Sequence, residues 1–246
     1  MQENFLDPSD NTPQPYIRPA GKVLQEFVPA WKGTEFQLED GLYTYTPSTA
    51  HGVVYYHERQ EIDRTRNYIL SGEVKAAAEQ GTFYLGVVQY NEQGREIHGI
   101  NINRRRDTVT VLSHPSAEGS DRVMVLDAAN WTPGTYIAIA PAEDNSDLPR
   151  FDLVGPIREL KQHGGDWSAY LEKPLKTAIA SDTKVCLHAP TSTHSYVCSA
   201  RAPKRFVRFG GKINWWPSAK TFRILLISQK PLEFKDLKLE IMEADK

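Results

Sequence analysis

Short runs rich in Val, Ile, Tyr, Phe and Thr recur from residue 22 onward, each bounded by Gly, Pro, Asn or Asp. Such residues suit a pleated, half-buried surface, and breaks at turn formers mark strands. The pattern predicts strands over 22–28, 42–46, 53–57, 68–76, 82–90, 96–101, 108–112 and 122–126. It continues with 135–140, 184–188, 196–200, 206–209, 221–227 and 237–242. In the last of these, Leu237, Leu239 and Ile241 face one way while Lys238 and Glu240 face the other. Phe234 is out of step with that alternation, which predicts a bulge near Lys235-Asp236. Asn91-Glu92-Gln93-Gly94 reads as a hairpin loop, because glycine takes the left-handed conformation such loops require.

Helix signals are sparse. The best is the run from Pro156 to His163, about two turns, stopped by Gly164-Gly165. Many short strands, one small helix and no strand–helix alternation predict an all-β fold. The expected architecture is an antiparallel jelly-roll β-sandwich with one short helix and an extended N-terminal arm. Pro8, Pro13, Pro15 and Pro19 forbid helix and central strand in residues 1–20, which form that arm. Residues 21–246 read as a single β-sandwich domain, since no linker-like composition follows residue 20. A segment that cannot satisfy its own backbone docks either along its own domain or on a neighbouring subunit, and the second is the expectation here.

Five Trp, eleven Tyr and nine Phe in 246 residues are enough to build a core, which excludes disorder of the whole chain. No apolar run approaches the roughly 18 residues of a membrane-spanning helix. The opening Met1-Gln2-Glu3-Asn4-Phe5-Leu6-Asp7 has neither a basic nor an apolar leader region, so no signal peptide is expected. The formal charge is −2, but it is unevenly spread. Between Asp182 and Glu233 there is no carboxylate and there are nine Lys and Arg residues, which leaves the rest of the chain at −11. Such asymmetry predicts an anionic partner or a self-complementary assembly, with 183–232 as the contact surface.

The chain carries no phosphate-cradling glycine loop, no nucleophile elbow and no paired-histidine zinc motif. Two cysteines cannot make a disulfide framework or a four-ligand zinc site. A hairpin centred on Ser192 would set Cys186 opposite Cys198, as buried thiols or as one disulfide. The seven histidines, 51, 57, 98, 114, 163, 188 and 194, show no metal-binding spacing. No cofactor is expected. The oxygen-rich loop Glu143-Asp144-Asn145-Ser146-Asp147 could hold Ca²⁺, but a solvated turn fits it better.

Aromatic rings offer flat apolar area to the C–H faces of sugars. Candidates are Tyr43, Tyr45, Tyr55, Tyr56, Trp131, Trp167, Trp215 and Trp216, about half of which must serve the core. Tyr55, Trp215, Trp216, Arg205 and Arg208 are the expected glycan- or partner-binding residues, and no catalytic residue is expected.

The run Tyr68-Ile69-Leu70-Ser71-Gly72-Glu73-Val74-Lys75, with Gly81 to Tyr90 and Gly94-Arg95-Glu96-Ile97, resembles the central hairpin of galactose-binding-like jelly rolls. The run Thr221 to Ile227 and then Phe234 to Ile241 is similar to their closing strands. The resemblance covers about half of the chain and implies the fold of many carbohydrate-binding modules, with no binding residue carried over. Tyr84, Tyr90, Arg95 and His98 resemble, superficially, the set of jelly-roll polysaccharide lyases. There the glutamine of the Gln-x-His motif is Glu96, and the tyrosine strand precedes the histidine strand, the reverse of that family's order.

The expected function is therefore a non-enzymatic binding or structural protein of a larger virion or extracellular assembly. A phage tail or capsid-decoration component is the expected setting. The partners expected are protein subunits of that assembly, an acidic glycan and further copies of the chain, with no nucleic acid or membrane. A glycan-active lyase is the alternative.

Overall fold

The computed structural model describes residue 16 and residues 18–244. Along the chain run β1 (Val23–Phe27), β2 (Phe36–Glu39), β3 (Leu42–Tyr45), β4 (Gly52–Tyr55), β5 (Gln60–Glu61) and β6 (Arg66–Ala76). Then come β7 (Thr82–Tyr90), β8 (Glu96–Ile97), the short helix α1 (Gly99–Ile102), β9 (Arg104–Val111), β10 (Arg122–Val125) and β11 (Tyr136–Ile139). The remainder is β12 (Ile157–His163), β13 (Asp166–Leu171), β14 (Lys184–His188), β15 (Ser195–Arg201), β16 (Val207–Lys212), β17 (Thr221–Ser228) and β18 (Leu232–Glu243). The fold is all-β and its strand pairs are antiparallel, as the hydrophobic pattern predicts.

The contacts group the chain into two compact units. The first holds residues up to Glu96 together with His194–Trp215 and Ala219–Lys246. The second holds Ile97–Thr193 and Trp216–Ser218. Both are built from short strands of the same composition, so no compositional break marks the junctions.

In the first unit one sheet has the order β16-β6-β18-β3-β2, with β1 also on β18. The other runs β15-β7-β17-β4, with β5 also on β17. Phe83, Leu85 and Val87 of β7 and Phe222, Ile224 and Leu226 of β17 meet Tyr68, Leu70 and Val74 of β6 in a shared core. Phe234, Leu237 and Leu239 of β18 complete it. Phe234 lies flat on Tyr43, with ring centres 5.1 Å apart. The bulge expected in β18 is present: the register shifts between Lys235 and Lys238, and Asp236 has φ 51°. The extra residue returns Leu237 to the face that Phe234 occupies. The Asn91–Gly94 loop is likewise as expected, with the Gly94 N–H donating to the Asn91 carbonyl and φ 71° at Gly94.

Residues 1–15 and 17 of the arm lie outside the described residues, and with them most of the expectation of docking on another subunit. Arg18, at the arm's near end, pairs with Glu240 of its own chain at 3.1 Å. Glu240 is 3% exposed, and Lys238 lies 3.3 Å from it. Burial raises the pKa of that carboxyl, but the hydrogen bonds from Arg18 and Lys238 outweigh it and hold the group below the usual range.

The second unit pairs β10-β13-β12 in one sheet and β11-β14-β9 in another. Leu112, Val123, Val125, Ile137, Ile157, Leu171, Val185 and Leu187 fill its core. Three expectations fail here. The run read as a helix, 156–163, is β12, hairpin-paired with β13 through Gly164-Gly165, where Gly164 has φ 63°. The glycines close a strand turn, and pairing with β13 overrides a locally helix-like sequence. The strand expected over 96–101 is cut to Glu96–Ile97 and followed by the observed helix, α1. The cysteine hairpin is also absent: Cys186 lies on β14 and Cys198 on β15, which belong to different sheets, and both thiols are free and buried.

Candidate functional site

Alternation sorts the β15-β7-β17-β4 sheet into a core face and an opposite face. Phe83, Leu85 and Val87 point into the core, so Tyr84, Gly86, Val88 and Tyr90 project from the opposite side. On β17 the same face carries Arg223, Leu225 and Ile227, and on β4 it carries Val53 and Tyr55. The register sets Tyr55, Leu225, Gly86 and Tyr196 in one row across four strands. At Gly86 the place of a side chain is filled by the neighbouring strand: β15 bulges between Tyr196 and Cys198 and its backbone comes close, with the Ser195 carbonyl oxygen 2.3 Å from where a Cβ would sit.

His194, 7% exposed and immediately ahead of β15, reaches back over this row. Its Nε2 shares a 3.4 Å hydrogen bond with the Tyr55 hydroxyl, and its Nδ1 lies 3.6 Å from Glu96. Tyr196 packs against Tyr84 with ring centres 5.0 Å apart. At the other end Arg59 lies over the Tyr90 ring, its Cζ 3.8 Å from the centre. Arg223 lies 5.5 Å from the centre of the Tyr55 ring and donates its Nε–H to the Tyr56 carbonyl. Burial raises the Tyr55 pKa, helped by the charge of Glu96, and burial pushes Tyr196 up to about 12. Both phenols are therefore neutral near pH 7. Val88, Tyr90, Leu225 and Ile227 are buried in a cluster of their own on this face, which leaves Tyr55, Val53 and Arg59 exposed around it.

Of the residues expected to bind, Tyr55 stands on this face and is 38% exposed. Trp215 packs edge-on against Tyr68 at 5.0 Å, beside the core, and Trp216 is buried and belongs to the second unit. Arg205 is exposed on the connection between β15 and β16. Arg208 lies on β16, in the other sheet, and pairs with Glu73 at 3.3 Å and with Asp236 at 3.7 Å. Of the residues named for the lyase reading, Tyr84 and Tyr90 are on the face. Arg95 sits on the exposed hairpin, where its N–H donates to Asn91, and His98 caps α1 in the second unit. Sequence reasoning missed Arg59 and His194. The glycine at 86 inside an apolar strand was the available signal that something approaches closely there.

The basic stretch 183–232 is less open than its composition implies. Besides Arg208, Lys184 pairs with Glu143 at 2.7 Å and Lys230 pairs with Glu79 at 2.5 Å. Half-exposed pairs of this kind contribute little, so Arg208→Ser is expected to cost no more than about 1 kcal/mol in denaturant titration. A loss above roughly 2 kcal/mol would show that the pair is a structural clamp.

The second unit holds a buried polar cluster. Arg104 donates its Nε–H to the Cys186 sulfur and its Nη1 to Asn145 and the Ala142 carbonyl, and it pairs with Asp147 at 3.5 Å. Arg150 pairs with the same Asp147 oxygen at 2.8 Å. His188 donates from Nδ1 to the Ile100 carbonyl, and burial lowers its pKa. The oxygen-rich loop considered for Ca²⁺ is thus engaged by cationic side chains. Its Asn145 and Asp147 oxygens meet Arg104 and Arg150, and Glu143 meets Lys184. Among the described residues no group of three or more His, Cys, Asp or Glu is arranged to hold a metal ion.

No protein-family model matches the chain, and comparison with curated proteins and with solved structures finds no significant match. The likeness to galactose-binding-like jelly rolls therefore stays a resemblance.

Proposed function

We propose that the chain is a non-enzymatic, saccharide-binding component of a larger assembly, of the kind a phage tail or capsid decoration represents. The observation that carries this reading is Tyr55, 38% exposed at one end of the row Tyr55–Leu225–Gly86–Tyr196 on one face of the sheet. An exposed phenol ring suits a pyranose, which stacks its C–H face on aromatics and bonds its hydroxyls to phenols.

Tyr55→Ala is expected to weaken retention on a saccharide affinity gel at least tenfold while leaving the fold unchanged by near-ultraviolet circular dichroism. Equal retention of both proteins on every saccharide tested would remove this reading. The assembly half of the proposal rests on the arm and the uneven charge. Sedimentation of the full chain beside a chain lacking residues 1–15 tests it, and identical monomeric behaviour of both would refute it.

The Tyr55–His194 hydrogen bond, with Glu96 behind it, favours a second reading in which this face moves a proton during polysaccharide cleavage. Growth of ultraviolet absorbance from unsaturated uronate ends, lost in His194→Ala, would establish that reading in place of the first.

A further inference from the structure

His188 is fully buried on β14, on the face of the β11-β14-β9 sheet opposite Leu187 and the core of the second unit. Cys186 shares that face, and the register sets Tyr136 of β11 and Arg104 of β9 on either side of the imidazole. Two segments cover it, α1 and the connection 142–150. They hold each other through Asn101 and Arg150: the Arg150 N–H donates to the Asn101 carbonyl, and the Asn101 amide donates to the Arg150 carbonyl. Arg104 ties the connection to the sheet through the Ala142 carbonyl and Asn145. His188 ties α1 to β14 through the Ile100 carbonyl, and Ala189 and Asn103 exchange two further hydrogen bonds beside it.

The neutral imidazole has one N–H. It stands on Nδ1, 2.8 Å from the Ile100 carbonyl, so Nε2 is a bare lone pair, buried and without a hydrogen-bond partner among the described residues. That arrangement suits the neutral ring alone. A second proton, on Nε2, would face no acceptor and would add a charge close to Arg104 and Arg150. The carboxylate that acts on the ring, Asp147, is already shared by both guanidinium groups, and Arg150 also holds the exposed Asp152. Burial pushes the Cys186 thiol up, so it supplies no negative charge. Burial likewise lowers the His188 pKa, and the charges of Arg104 and Arg150 add to it, against the Ile100 hydrogen bond and Asp147.

We propose that His188 is an acid switch of the second unit: a proton taken up at Nε2 breaks its hold on α1 and opens the cover that α1 and the 142–150 connection make over β14, while the first unit stays folded. A histidine depressed in the folded state supports the fold above its unfolded pKa of about 6.5 and withdraws that support as pH falls toward the folded value.

Cys186 lies under the same cover and reports its opening, and Cys198, buried in the first unit, is the internal control. The full chain is treated with a pyridyl disulfide between about pH 7.5 and about pH 5, and labelling of each cysteine is followed by mass spectrometry. Each rate is divided by that of glutathione at the same pH, which removes the pH dependence of the reagent. Cys186 is expected to label at least tenfold faster at the acid end, with the rise beginning below about pH 6.5, and Cys198 to keep one rate. His188→Asn, whose amide still donates to Ile100 but does not titrate, is expected to abolish the rise. His98→Asn, at the N-cap of α1, is expected to keep it. A rise that persists in His188→Asn, or is lost in His98→Asn, would overturn the proposal. So would a rise shared equally by Cys198, which marks general acid unfolding. If His188→Asn does not fold, the parent and His98→Asn decide the matter. A rise at Cys186 alone in both proteins supports the switch, and a constant Cys186 rate in the parent overturns it.

Discussion

Gly86→Ala is expected to destabilise the first unit by about 3 kcal/mol and to abolish saccharide retention along with it. The added Cβ would lie 2.3 Å from the Ser195 carbonyl oxygen and 2.8 Å from the Tyr196 Cα. Both are backbone atoms, so no side-chain rotation relieves the clash, and β15 must move off β7. That strand carries Tyr196, with His194 just ahead of it, so the same displacement breaks the Tyr55–His194 hydrogen bond. Gly165→Ala serves as the control. Nothing lies within 4 Å of its Cβ position and its φ is not positive, so a change below about 1 kcal/mol is expected. Denaturant titration of both variants beside the parent chain decides it. A Gly86→Ala protein as stable as the parent would mean that the β15 bulge is loosely held and the row across the sheet is not fixed.

What the sequence disclosed here follows the range of the interactions involved. Strand alternation and the β18 bulge depend on neighbouring residues, and both are visible in the order of Phe234, Leu237 and Leu239. The run 156–163 misled because its local pattern suits a helix, and only pairing with β13 makes it a strand. Cys186 and Cys198 misled in the same way, since a plausible hairpin spacing says nothing about which sheet each strand joins. Residues 97–193 share the composition of the strands on either side, so composition carries no mark of the two compact units. For the site, alternation was enough to turn Tyr55 outward. Its partner His194 lies 139 residues away and precedes its strand, so no periodicity connects the two. Arg59 sits in a connection between short strands, where composition carries no register.

Arg104→Met is expected to cost the second unit about 3–5 kcal/mol, the usual result of breaking a buried ion pair from one side. Arg104 is 6% exposed and Asp147 18%, so little water is available to replace the lost guanidinium. The variant also deprives the Ala142 carbonyl and Asn145 of a donor and leaves the Asp147 charge to Arg150 alone. Burial by itself would raise the Asp147 pKa, but the hydrogen bond from Arg150 and the charge of Arg104 outweigh it and hold the carboxyl below its ordinary value. A carboxyl depressed in the folded state adds stability above its unfolded pKa of about 3.9 and loses it as pH falls through the folded value. The gap between parent and Arg104→Met should accordingly be widest near pH 7 and narrow as pH falls past the ordinary carboxyl range and through the parent's lower folded value, below which Asp147 is protonated in both proteins. Asp147→Asn added to Arg104→Met should restore part of the loss at pH 7, because the amide oxygen still accepts from Arg150 and no buried negative charge remains. A pH-independent gap, or a double variant as unstable as the single one, would show that Arg104 acts through packing and its carbonyl contacts rather than through its charge.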